Sequence, residues 1–228
     1  MINTWNESLL HEELKEYFCG DSGVTEVPVE GSICDAVLDD GSIVEIQSKN
    51  LGKLRAKLEK LLQSRRVTLV YPIARNTLIE TYEPSGILKT RRKSPKHGTI
   101  FQLFEELTGI WHLVGHPGFT VTAIFTDTLE LRIADGTGSW RRKGIRISDR
   151  KLVKMHETVE IRTLEDLAAI VPDEVPEVFT VSDLSRFGAG SHAGKMAWVL
   201  GKTGIAERTG KSGRSYTYRL KIPNKRLT

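Results

Sequence analysis

The stretch that most constrains the fold is CDAVLDDGSIVEIQSK, residues 34–49. Residues 32–38 and 42–48 are β-rich, and Asp39-Asp40-Gly41 between them is the turn chemistry of a hairpin. Side chains alternate across a strand, so Glu45, Gln47 and Lys49 share one face, while Asp35 shares a face with Val37. Whether the two acids meet depends on the loop. A two-residue turn at Asp40-Gly41 pairs Asp35 with Ile46 and puts the acids on opposite faces. A three-residue loop, with Gly41 left-handed at a bulge, sets Asp35 opposite Glu45. The second register is the one expected, and it brings both acids within reach of one hard divalent cation such as Mg²⁺.

Helical patterns flank the hairpin. Asn6 is placed to cap a helix running to about Phe18, with Leu9, Leu10, Leu14, Tyr17 and Phe18 on its apolar face. Glu13 falls among them, whereas Glu12 and Glu16 turn outward. A carboxylate on the core side costs free energy unless it is paired or binds metal, and this marks Glu13. Asn50 is placed to cap a second helix through about Gln63. Leu51, Leu54, Leu58, Leu61 and Leu62 form its apolar face, with Lys53, Arg55, Lys57 and Lys60 on the other side. Residues 67–73 then read as a buried strand. The order is helix, hairpin, helix, strand.

That order, with Asp35, nine intervening residues and then Glu45-Ile46-Gln47, resembles the PD-(D/E)XK nuclease superfamily over roughly residues 5–73. Cys34 stands where the motif has proline, and Gln47 where it has lysine. Lys49 could supply the missing positive charge. The resemblance implies a restriction-endonuclease-like fold, a mixed α/β sheet flanked by helices, that hydrolyses DNA phosphodiester bonds. In that expectation Asp35 and Glu45, with the Ile46 carbonyl, hold Mg²⁺ or Mn²⁺, which polarises the phosphate and lowers the pKa of the attacking water. Gln47 or Lys49 orients that water or steadies the developing charge. Glu13 matches the helix glutamate that many members use as a further ligand or water anchor. Double-strand cutting needs two such sites, so a homodimer is also implied.

The rest of the chain reads as an elaboration and a second unit. Residues 99–113 look helical, and 119–125 and 128–133 look like strands. Basic stretches at 89–97 and 140–154 flank them and carry Arg91, Arg92, Arg141 and Arg142. Pro172 and Pro176, among acids, mark a boundary near 171–178 between a nuclease-like domain (1–160) and a C-terminal domain (161–228). A helix at 163–170, a short helix capped by Ser182, a helix opened by Ser191 and strands at 205–208 and 215–221 follow the plan of a winged helix. Residues 191–203 would be its recognition helix. Lys195, Lys202, Arg208, Lys211, Arg214 and Arg219 would contact phosphates or groove edges, and Trp198 would sit in the core.

Charge supports this division. The net +4 averages residues 1–47, with eleven acids and one lysine, and residues 179–228, with ten bases and two acids. An acidic start on a basic body suits a polyanion partner and an acidic pocket; with Lys53 and Lys57 it points to DNA. A content of 39% hydrophobic and 27% charged residues is that of a globular protein. The longest apolar runs are four or five residues, against the ~20 that span a bilayer. Neither a basic-then-apolar leader nor enough cysteine for disulfide stapling is present, so a cytoplasmic location is expected. His112 and His116 have zinc-like spacing, but Gly115 and Pro117 interrupt any helix that would align them. The same residues admit a rival, a non-catalytic DNA-binding regulator with a degenerate nuclease fold. Cys34 and Gln47 favour the regulator; Glu13, Asp35 and Glu45 favour the enzyme.

Overall fold

The computed structural model describes residues 8–222. It is a mixed α/β structure built on a seven-stranded sheet of order β1-β2-β3-β4-β6-β7, with β5 paired to β4. Strands β1 (Val24–Val29), β2 (Ser32–Val37) and β3 (Ile43–Ile46) form an antiparallel meander. Helix α2 (Arg55–Leu61) carries the chain across to β4 (Val67–Tyr82), which runs parallel to β3. β5 (Leu88–Lys93) folds back antiparallel along the far half of β4. β6 (Phe119–Ile133) lies parallel to β4, and β7 (Arg146–Ile161) closes the sheet antiparallel to β6.

The period of two along β3 sorts the core onto two faces. Ile43 packs with Leu58, Leu61, Phe104 and Leu107 of α2 and α3 (Leu103–Leu107). Val44 and Ile46 pack with Leu10 and Leu14 of α1 (Leu9–Cys19). Helices therefore cover both faces. Beneath α2, Gly52 and Gly109 meet backbone to backbone: a Cβ on Gly109 would lie 2.5 Å from the Gly52 Cα.

The hairpin adopts the three-residue loop. Val37 pairs with Ile43 and Ala36 with Val44, Gly41 has φ +76°, and its N–H donates to Leu38 O at 2.8 Å. β1 is unforeseen, because Glu26 and Pro28 interrupt the valines of Val24–Val29. Proline is tolerated there because β1 is the sheet edge, and left-handed Glu30 (φ 48°) and Gly31 (φ 80°) make the turn into β2. The strand expected at 67–73 continues to Tyr82, and the two expected at 119–133 are one. The helix expected at 99–113 shrinks to α3 between 3₁₀ turns. The helix from Asn50 begins as a 3₁₀ turn, Leu51–Leu54, and left-handed Asn50 (φ 59°) makes no side-chain cap. Ser8 caps α1 by accepting from His11 N; Asn6, the expected cap, lies outside the described residues.

After α4 (Leu164–Ala168) come β8 (Val178–Phe179), α5 (Val181–Leu184), α6 (Ala193–Lys202), β9 (Ala206–Ser212) and β10 (Ser215–Leu220). The last strands form a separate sheet, β8-β10-β9. Thr180, not Ser182, caps α5, through a capping box with Asp183. Phe179, Leu184, Met196 and Leu200 share one continuous core with Phe104 and Leu107. Val171, at the expected boundary, is fully buried in that core. Among the described residues no helix is long and apolar enough to cross a membrane.

Candidate functional site

Glu45 is the most deeply buried acid at the hairpin, 2% exposed on the α2 side of β3. Its partner is Lys57 of α2, whose Nζ lies 2.6 Å away. Lys57 donates to Oε2 and to the Ile33 carbonyl, while Glu45 Oε1 is buried and receives no well-directed hydrogen bond. Asp35 takes a different direction. Its Oδ2 accepts from Ile46 N at 2.7 Å, filling the gap between β2 and β3, and lies 3.2 Å from His11 Nε2 on α1. The two acids thus stand on neighbouring strands, with ionic partners from helices on opposite faces.

These surroundings push the two carboxyls apart. For Asp35, burial works to raise the pKa, but the His11 and Ile46 hydrogen bonds, with the charges of His11 and Lys57, outweigh it and lower it. For Glu45, burial and then the Asp35 charge raise the pKa against Lys57. Divergent shifts in neighbouring carboxyls separate a stable anion from a group that readily holds a proton. Cys34, also beside Glu45, has its thiol pushed up to about 11, first by burial and then by the Glu45 charge. It is a poor nucleophile in that state.

α1 is turned from the expected orientation. Its buried residues are Leu10, Leu14, Lys15 and Cys19, while Tyr17 is 60% exposed. This rotation brings His11 to Asp35 and swings Glu13 towards β7, where its Oε2 accepts from Leu152 N at 2.6 Å. Glu13 is therefore an anchor of α1 rather than a neighbour of the acid pair. Gln47, just past the end of β3, turns its Nε2 back to the Lys49 carbonyl at 2.7 Å. Lys57 is expected on a solvent-facing basic side, yet its ammonium is drawn in against Glu45. Its position, three residues after Leu54 and four before Leu61, borders the apolar row, which is the signal for such placement. Among the described residues no three His, Cys, Asp or Glu side chains gather into a metal-holding group.

A cleft of about 850 Å³ opens between α1 and the far halves of β4, β6 and β7. Lys49, Arg92, Lys96, Arg132, Arg141, Arg142 and Arg150 line it, and Glu130 is the one acid on its lining among the described residues. His11 and Ile46 line it too, so the cleft reaches the groups that hold Asp35. The length of the strands creates this space: β4, β6 and β7 have 16, 15 and 16 residues, and the 11-residue α1 covers only part of them. The sequence marked Arg92, Arg141 and Arg142 but could not show that they converge. Arg91, on the other face of β5, pairs with Glu80 at 3.3 Å, and Lys53 is exposed in the 3₁₀ turn before α2.

The expected C-terminal contacts lie elsewhere. Lys195 and Trp198 line a second hollow with Thr108, Ser191 and Gly194. Trp198 is 42% exposed rather than core; it meets Trp111 edge-on at 6.5 Å, with Lys202 over both rings. On the β9–β10 hairpin, Arg208 stacks 3.6 Å from the Tyr216 ring centroid and Lys211 lies 5.0 Å from it. Arg214 stands exposed in the turn between those strands.

Residues 8–162 match the model of a family described as Domain of unknown function (DUF8091). The chain belongs to this family. The matched span runs from the cap of α1 to the end of β7, so the acid pair and the basic cleft both lie inside the DUF8091 domain. An uncharacterized protein of Treponema pallidum (strain Nichols) is 37% identical over 222 residues, covering 97% of this chain and 88% of that protein. No solved structure matches.

Proposed function

We propose that the chain is a metal-dependent deoxyribonuclease with a restriction-endonuclease-like fold and a C-terminal winged-helix-like DNA contact. The observation that carries this reading is the placement of Asp35, held by His11 at the edge of a seven-cation cleft, with the buried Glu45 on the neighbouring strand. The element order α1-β1-β2-β3-α2-β4, with α1 and α2 on opposite faces, supports the fold. The α5, α6 and β9–β10 succession with its basic hairpin supports the winged helix.

The donor chemistry fits a small hard cation. Mg²⁺ takes oxygen ligands and is commonly held by one or two carboxylates plus substrate phosphates. Asp35 and Glu45 supply two carboxylates, and Glu45 Oε1, which lies 2.6 Å from the Lys57 ammonium without a well-directed hydrogen bond, would exchange that ammonium for the cation. When bound, Mg²⁺ or Mn²⁺ would polarise the phosphate and lower the pKa of its water. The chain's own residues do the rest. Cleft cations draw the phosphate backbone in and orient it. His11 and Ile46 N hold Asp35 ionised, and Lys57 holds the charge of Glu45 in place. Lys57 stands beside Glu45 in the role assigned by sequence to Gln47 or Lys49.

The second reading, a non-catalytic DNA-binding protein, is favoured by one observation: Lys57 already occupies Glu45. Incubating the protein with linear, circular, single-stranded and branched DNA plus Mg²⁺ or Mn²⁺, beside an Asp35→Ala/Glu45→Ala variant, separates them. Cutting by the wild type alone supports the nuclease; binding without cutting supports the second reading. Cutting by both proteins exposes a contaminant. Light scattering on the DNA-bound form tests the homodimer that double-strand cutting requires.

A further inference from the structure

The floor of the cleft holds a charged group that the acid pair does not use. Glu130 on β6 is 6% exposed. Its cross-strand partner in the β6–β7 ladder is Arg150, and Arg132 follows two residues on, along the same face. Arg132 reaches Glu130 Oε1 through Nε at 2.7 Å and Nη2 at 2.6 Å. Arg150 reaches Oε2 through Nε and Nη2, both at 2.9 Å. One carboxylate thus receives a planar fork on each oxygen.

This arrangement does more than neutralise a buried acid, for which a single arginine would suffice. Two guanidiniums on one carboxylate leave a net positive charge on the cleft floor. Each pairs with Glu130 through Nε and Nη2, so the Nη1 donors are not spent on it, and a guanidinium has five N–H groups in a rigid fork. Both arginines line the cleft, Arg132 18% and Arg150 41% exposed. Their forks are held before any ligand arrives, which removes the ordering cost of two long side chains.

We propose that Glu130 mounts a two-arginine phosphate clamp, with Arg132 and Arg150 seating adjacent phosphates of a nucleic-acid backbone on the cleft floor. The clamp rests on the reading of the cleft as a nucleic-acid site and adds to it a defined subsite. Glu130 is a positioning residue, and its predicted effect is opposite in sign to that of plain electrostatics. Removing a negative charge from a polyanion site should tighten binding if charge alone matters. Removing the mount of two guanidiniums should loosen it.

The test is fluorescence anisotropy with a labelled short DNA duplex and the matching single strand, across a salt series, on full-length protein whose folding is confirmed by circular dichroism. Glu130→Gln is expected to weaken binding by about tenfold, the cost of reordering two arginines on binding. Arg132→Ala and Arg150→Ala should each flatten the plot of log affinity against log salt by about one unit. Arg150→Lys keeps the charge and loses the fork, so it should keep the slope and lose affinity; it also serves if Arg150→Ala fails to fold. Tighter binding by Glu130→Gln, or unchanged slopes in folded arginine variants while the wild type binds, would overturn the clamp alone. A wild type that binds neither DNA at low salt overturns the cleft reading and the clamp with it.

Discussion

Lys57 Nζ lies 2.6 Å from the Glu45 carboxylate, the lysine side chain 19% exposed and the glutamate 3%. A charge pair so withdrawn from water adds little net stability, because desolvating both groups offsets their attraction. Removing one partner is another matter, since it strands the other charge. The pair therefore offers a handle on Glu45 that needs no knowledge of the substrate.

Lys57→Met should lower stability at pH 8 by about 3 kcal/mol, the usual cost of an uncompensated buried charge. The loss should shrink at a lower pH, because Glu45, whose pKa is already raised, takes up a proton as pH falls and then needs no counter-charge. Urea unfolding at the two pH values reads the difference, and an equal loss at both would contradict a charged Glu45 in the folded protein.

Glu45→Gln probes the same carboxyl from the other side. Its folded pKa lies above its unfolded value, so the folded state binds more protons there. The resulting stabilisation is fully present below the unfolded value of about 4.3 and is lost as pH rises through the folded value. Glutamine does not titrate. The stability of the wild type relative to Glu45→Gln should therefore fall as pH rises through this window, in paired thermal melts.

Arg92→Ala, Arg141→Ala and Arg142→Ala should each flatten the salt dependence of DNA binding by about one unit. Arg91→Ala should leave the slope nearly unchanged, because Arg91 is paired with Glu80 rather than lining the cleft. Equal slopes for all four variants would mean that the cleft is not where the backbone lies.

Glu13→Ala should lower stability by about 1.5–3 kcal/mol, the range for a hydrogen bond to a charged group, with DNA binding and any cleavage retained. Met196→Ala should lower it by about 2–4 kcal/mol and shift one cooperative transition, because Met196 shares its core with Leu69 and Phe104. Two separate transitions by calorimetry would show that the C-terminal elements unfold apart from the sheet.

The hairpin register was legible because local chemistry decides it: Asp39-Asp40-Gly41 permits the bulged loop, and only glycine takes that φ cheaply. The far halves of β4, β6 and β7 were not legible as one continuous surface. Charged residues such as Glu130, Arg132 and Arg150 interrupt their apolar pattern, and what joins them is cross-strand pairing between distant segments. The rotation of α1 is not legible for a geometric reason. Rotating a helix about its axis exchanges flank residues, and Leu9 and Tyr17 gave the apolar arc a centre displaced from the buried one. Lys57 was hidden by a residue-type expectation, since a lysine bordering a leucine row ordinarily snorkels to water. Here the buried Glu45 holds it in.

The Gly52–Gly109 contact gives the site a mechanical boundary. With no Cβ on either residue, the turn that launches α2 rests on the chain just beyond α3 at backbone distance, and a methyl group added at Gly109 would act as a spacer wedge. Because Lys57 begins its reach only five residues later, displacement of that turn would be passed along a stiff rod to the ammonium tip. Its alignment with Glu45 is thus calibrated at a glycine seam that contains no charge at all.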